Sequence, residues 1–155
     1  MARKLATADR LDRTALENFV RPRHRATLVT YRRDGSLQIS PVTCGLDDRG
    51  RVVVSTYPQR AKASNARRDG RVSVLVHSDE WDGPYVQIDG TAEVIDMPDA
   101  VEPLVDYFRC ISGEHPDWEE YREAMRAQDK SLIRVSVERW GPVATGGFPP
   151  EQAPS

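Results

Sequence analysis

Six short β-patterned runs separated by tight turns, with one helix-forming segment set between the third and the fourth, constrain this chain more than any other feature. Residues 26–31 are rich in β-branched and aromatic side chains, and Arg32-Arg33-Asp34-Gly35 carries the Asp-Gly hairpin signature. Residues 37–43 alternate and read as the returning strand, with Pro41 pointing to an edge or a bulge. Asp47-Asp48-Arg49-Gly50 is a second turn, and residues 51–56 are a third strand. Residues 71–77 and 85–95 read as the fourth and fifth strands, the latter with a bulge at Gly90. Residues 131–138 alternate as the sixth. Strands this short, joined mostly by turns, favour an antiparallel barrel that is closed or nearly so. Helices do not alternate regularly with strands, which disfavours a doubly wound parallel sheet.

The helical segments decorate that barrel. Residues 9–20 place Leu11, Ala15, Leu16, Phe19 and Val20 at helical spacing, with Asp9 or Asp12 able to cap. Pro98 and Asp99 open a helix running to about residue 111, and residues 117–125 form a second, acidic one. A length of 155 residues suits one domain with a real core. Gly and Pro dominate from Gly141 onward, so the expected organisation is a single mainly β domain with flexible tails over about residues 1–8 and 143–155.

Chemistry concentrates at the junction after the third strand. Val52-Val53-Val54 leads into Ser55 and Thr56, and then into Arg60, Ala61, Lys62 and Asn65. The segment from Gln59 to Asp69 has good helix formers and ends at Gly70, a natural residue for a left-handed helix stop. The free N–H groups of its first turn, the positive end of the helix dipole and two cations could converge on one anion. The competing reading is a solvated basic turn, since Arg/Lys pairs are common on surfaces.

Charge and cysteine content exclude several classes. The net charge is −2, but residues 1–33 hold nine Lys/Arg against three Asp/Glu, while residues 78–129 hold three against fifteen. That asymmetry argues against a uniformly basic nucleic-acid binder and permits an anionic ligand or subunit contact. No run approaches the roughly 20 apolar residues of a membrane span, and no apolar segment follows the basic N-terminus as in a signal peptide. Cys44 and Cys110 make neither a disulfide framework nor a metal site, and His24, His77 and His115 show no ligand spacing. The expected location is the cytoplasm, with no metal.

The ordered set Thr-Leu-Val-Thr-Tyr, Asp-Gly, Gln-Ile-Ser-Pro-Val, Val-Val-Val-Ser-Thr, Arg-Ala-Lys-x-x-Asn and Val-x-Ile-x-Gly-Thr-Ala-Glu-Val resembles the split β-barrel superfamily of pyridoxamine 5′-phosphate oxidase-like proteins. It is most similar to their actinobacterial coenzyme F-420-dependent oxidoreductases, and residues 107–125 share that likeness. The resemblance implies an antiparallel split β-barrel acting as a homodimer, with F-420 (alternatively FMN) bound between subunits. It implies Arg60 and Lys62, flanking Ala61, as cofactor-phosphate binders, with Ser55 and Thr56 as supporting hydroxyls and Asn65 one turn further on. It implies Ser40, Pro41 and Val42 as the strand lining the ring. The anionic tail of F-420 would suit these cations and some of Arg21, Arg23, Arg25 and Arg32. The substrate-phosphate set of a vitamin B6 oxidase is not found, and no histidine stands in a haem-ligand context.

A flavin or deazaflavin carries its own chemistry, so no protein nucleophile is required. None is visible: there is no Gly-x-Ser-x-Gly and no Cys/His pairing. Trp81, Tyr85 and Trp140 are the aromatic candidates for a small-molecule substrate pocket, against the simpler reading of Trp81 as packing over a barrel end. The function expected is F-420-dependent hydride transfer to a conjugated small molecule. A non-enzymatic carrier of F-420 or flavin, or an FMN-dependent oxidase or reductase, are the alternatives.

Overall fold

The computed structural model describes residues 4–149 and 151. Six strands close a barrel: β2 (Arg25–Tyr31), β3 (Leu37–Leu46), β4 (Val52–Thr56), β5 (Arg71–Val76), β6 (Val86–Ile95) and β7 (Ser131–Trp140). The order around it is β2-β3-β4-β7-β6-β5, and every adjacent pair is antiparallel. Among the described residues four helices sit outside: α1 (Arg13–Val20), α2 (Ala61–Arg68), α3 (Val101–Ser112) and α4 (Trp118–Ala127). The mainly β split-barrel expectation therefore holds for a single chain.

Strand alternation sorts side chains into two cores. Ala26, Leu28, Cys44, Val52, Val54, Val74, Ile88 and Val135 fill the interior. Val53, facing the other way, joins Leu104, Val105, Tyr121 and Leu132 beneath α3 and α4. This is why Val52-Val53-Val54 is apolar without interruption: β4 is buried on both faces. On α1 the cap is Asp12, whose carboxylate accepts the Ala15 N–H at 2.8 Å. The expected irregularity in β6 falls between Asp89 and Gly90. A Cβ at Gly90 would lie 2.1 Å from the Ser136 carbonyl oxygen, so the bulge admits only glycine without rearrangement.

Two expectations are corrected. Gly70 is not a left-handed helix stop. The chain leaves α2 through Asp69 in an extended conformation (φ −138°, ψ 107°), and Gly70 leads directly into β5. Its carbonyl accepts the Ala92 N–H at 2.7 Å, and a Cβ there would meet Thr91 at 3.0 Å and the Ala92 oxygen at 3.1 Å. Close strand approach, not helix termination, is what requires the glycine.

The tails also differ. β1 (Thr7–Asp9) and β8 (Val143–Thr145) pair as a two-stranded antiparallel ribbon, with Thr7 and Thr145 hydroxyls 2.8 Å apart. Ala144 exchanges both backbone hydrogen bonds with Tyr85, tying the ribbon to the barrel. A three-residue ladder between segments this distant leaves no local pattern to read. Residues 1–3, 150 and 152–155 of the expected tails lie outside the described residues.

Candidate functional site

The barrel is split beside β3. Pairing between β3 and β4 covers only Cys44 with Val54, Gly45 with Val53 and Leu46 with Val52. Continued at the same register, Val42 would face Thr56 and Ser40 would face Pro58, but there the strands diverge. β3 keeps its full pairing with β2, from Thr43 with Arg25 to Leu37 with Tyr31. The Cys44 N–H donates to the His24 carbonyl and the Arg32 N–H to the Ser36 carbonyl. By alternation, the backbone polar groups of Ile39, Pro41 and Thr43 therefore point away from β2, into the opening. Proline at this edge leaves no orphaned donor. At the base of the split the Tyr107 phenol of α3 donates to the Thr43 carbonyl at 2.9 Å.

One lip of the opening thus carries Ser40, Pro41 and Val42. Ser40 and Val42 pair with Leu28 and Ala26 and share their inward face, whereas Pro41 faces outward. The Ser40 hydroxyl oxygen is buried and has no hydrogen-bond partner among the described residues. A buried polar atom without a partner costs about 1–3 kcal/mol. It is the kind of atom a bound heterocycle satisfies.

The other lip is the end of β4 and the start of α2. Arg60 caps α2 in an extended conformation with no side-chain cap. Ala63 and Ser64 N–H groups both return to the Arg60 carbonyl, which leaves those of Ala61 and Lys62 open. Arg60 is exposed and Lys62 half-buried, and neither has an ion pair among the described residues. Burial, then the positive charges of Arg60 and Lys130, hold the Lys62 ammonium below the usual lysine range. The approach to the helix is braced by Arg67, which donates to the Pro58 carbonyl at 3.0 Å and pairs with Asp96.

The remaining candidates separate. Thr56 is buried on the interior side with Ser40 and Val42, while Ser55 faces the opposite way, beside Tyr107. Burial raises the Tyr107 phenol's pKa, and the hydrogen bonding from Ser55 only partly offsets it. Neighbouring strand residues alternate between faces, so the two hydroxyls lie on opposite sides of the sheet. Asn65 is turned into the barrel, where its amide donates to the Thr30 hydroxyl at 3.1 Å and its oxygen accepts from Arg68. Thr30 in turn donates to Gln38, so Asn65 ties α2 to β2 and β3 and does not face the anion site.

Of the three aromatic candidates, Trp81 flanks a cavity shared with the β3 lip. It is 98% exposed and borders a space of about 520 Å³ lined also by Arg25, Thr27, Pro41, Val42 and His77. Tyr85 is held by backbone pairing to the terminal ribbon. Trp140 packs on the interior core and donates its indole N–H to the Leu11 carbonyl at 2.8 Å, with the Arg13 guanidinium 5.9 Å from the ring centroid. Arg23 and Arg25 are engaged elsewhere, Arg23 over the Phe19 ring and Arg25 with Asp79. Sequence reasoning missed Tyr57, Tyr107 and Lys130. Their only local signal was chemical type: packing of α3 brings Tyr107 to β3, and the β4–β7 pairing brings Lys130 to Tyr57. Among the described residues no group of three His, Cys, Asp or Glu is placed to hold a metal. Among the described residues no helix is long and apolar enough to cross a membrane.

A six-stranded barrel, split on one side, with an inward-lined strand on one lip and an uncapped cationic helix on the other, defines a class built to hold flavin-type cofactors. Residues 13–144 match the pyridoxamine 5′-phosphate oxidase family, and the chain belongs to it. The fold is similar to that of Rv2991 from Mycobacterium tuberculosis, at 24% identity over 90% of this chain and 89% of that one, with a TM-score of 0.72. It is similar to an F-420 reductase at 17% identity over 80% and 94% of the chains, with a TM-score of 0.60. It is also similar to General Stress Protein 26 of Bacillus anthracis, at 12% identity over 88% and 97%, again with a TM-score of 0.60.

Proposed function

We propose that this chain is a coenzyme F-420-dependent oxidoreductase working as a homodimer on a small conjugated substrate. The observation that carries the reading is the split itself: an orphaned buried hydroxyl at Ser40 on one lip, and the open, unpaired cations of α2 on the other. When bound, the deazaflavin supplies hydride transfer. Arg60, Lys62 and the open N–H groups of Ala61 and Lys62 would hold its phosphate. Ser40, Pro41 and Val42 would border the ring, and Thr56 would close the interior side. Tyr107 and the α3 face above it would keep water out of the base of the split. Trp81 and the cavity beside it would receive the substrate.

Support for a dimer comes from the outer face of the same strand. Leu37 and Ile39 are 46% and 58% exposed and, with Val29, Tyr31 and Leu75, line an apolar surface next to the lip. A second copy there would complete the groove. Cys44 and Cys110 are both free, which fits the cytoplasm as the proposed location.

Titration with F-420 and FMN tests the reading. F-420 is expected to bind more tightly, with affinity falling as salt rises, because exposed charges are screened over about 8–10 Å. Purification with stoichiometric FMN and no F-420 binding would refute the cofactor assignment. Light scattering that shows a monomer with cofactor present would refute the dimer. Turnover of reduced F-420 with a panel of enones and quinones separates an enzyme from a carrier.

A further inference from the structure

The α2 start has a third cation that the reading above does not use. β7 begins at Ser131, which pairs with Thr56, so the residue before it, Lys130, lies alongside Tyr57. Its ammonium sits 4.1 Å from the centroid of the Tyr57 ring, a cation–π contact. The turn that delivers it is tight. Asp129 adopts a left-handed conformation (φ 52°), and the Lys130 N–H returns to the Met125 carbonyl at 3.1 Å. A non-glycine residue at positive φ is uncommon, and here it sets where Lys130 emerges.

Three positive charges therefore meet at one helix start. Lys130 is near enough to Lys62 to lower that lysine's hold on its proton, as Arg60 also does. None of the three has an ion pair among the described residues. Asp96 does not neutralise them, because it is taken by Arg67 and by the Ser131 hydroxyl. Across the split from Pro58, the buried Ser40 hydroxyl has no hydrogen-bond partner among the described residues. Convergent like charges are unfavourable in the free protein, and a bound anion removes the penalty.

We propose that Lys130 is a third cationic ligand of the anion at the start of α2, held on the Tyr57 ring until that anion arrives. The ligand chemistry is a phosphate ester, a monoester in FMN and a phosphodiester followed by carboxylates in the F-420 tail. The inference rests on the reading of α2 as a cofactor-phosphate site and adds a residue from the start of β7, the strand beside β4. The turn at Asp129 positions Lys130, and Tyr57 orients it.

The test is calorimetric titration of wild type, Lys130→Ala and Tyr57→Leu with F-420, FMN and riboflavin at two salt concentrations. Lys130→Ala is expected to weaken the phosphate-bearing cofactors about 10-fold, the size of one charge-assisted contact, and to leave riboflavin unchanged. Its affinity should also depend less steeply on salt. Tyr57→Leu should weaken the same ligands by less. Wild-type affinity and salt dependence in Lys130→Ala would overturn the proposal while leaving the cofactor reading intact. Should wild type bind neither cofactor, inorganic pyrophosphate replaces them as probe, with melting temperature as readout. Stabilisation of wild type, diminished in Lys130→Ala, would support Lys130 and refute the cofactor reading. No stabilisation of wild type would overturn both.

Discussion

Replacing Lys62 by methionine separates a ligand-binding cation from a solvated one. The variant keeps an apolar stem to pack in the half-buried site and removes only the charge. Loss of a charge-assisted hydrogen bond costs about 1.5–3 kcal/mol, or roughly 10- to 150-fold in affinity. Lys62 belongs toward the upper end because it is partly desolvated, and Arg60→Ala toward the lower because Arg60 is exposed and screened. The two share one anion, so the double variant should lose less than the sum. Free-protein stability should move the other way. The Lys62 pKa is lowered by burial and by Arg60 and Lys130. Its folded-state value thus lies below the unfolded one, and the unfolded chain binds the proton more tightly. The charge opposes folding at neutral pH, and that opposition lifts as pH rises through the folded-state value. Unliganded Lys62→Met should therefore be at least as stable as wild type at neutral pH, with the difference shrinking toward alkaline pH. Calorimetric titration and chemical denaturation measure the two effects. Unchanged cofactor affinity, or weaker binding accompanied by a destabilised free protein, would refute the reasoning.

Three further outcomes are expected. Gly90→Ala should lower stability by about 1–3 kcal/mol in chemical denaturation, since its methyl would collide with the Ser136 carbonyl. Trp81→Ala should leave the denaturation midpoint unchanged, because the ring is 98% exposed, while raising KM in a turnover assay. Asp96 has its pKa lowered from 3.8 by the Ser131 hydroxyl and by Arg67. The stability it contributes is present above that value and lost as pH falls through the folded-state value, so acid titration of Asp96→Asn should show a shallower loss below pH 4 than wild type.

The positions of the six barrel strands along the chain and the α2 junction were legible because they rest on local pattern. The Asp-Gly hairpin, the uninterrupted Val52-Val53-Val54 and the bulge at Gly90 each follow from the chemistry of a few neighbouring residues. Arg60 and Lys62 were visible for the same reason: charge, spacing and a helix start all lie within one turn. Gly70 was misread because a glycine after a helix is ordinarily its stop, and only the approach of β6 shows that the sheet needs it.

The sequence by itself determined the six barrel strands and the helices, which residues can bury, and where two cations meet a helix N-terminus. All of these depend on dihedral preference and periodicity over a few residues. Tertiary structure decided which hydroxyl faces the split, sending Thr56 inward and Ser55 toward Tyr107. It turned Asn65 into the barrel, stripped Ser40 of a partner, and brought Lys130 to Tyr57 from the far side of α4. These follow from long-range strand register. A shift of one residue reverses every side chain on a strand, so which face a residue serves is set only when its partner strand docks.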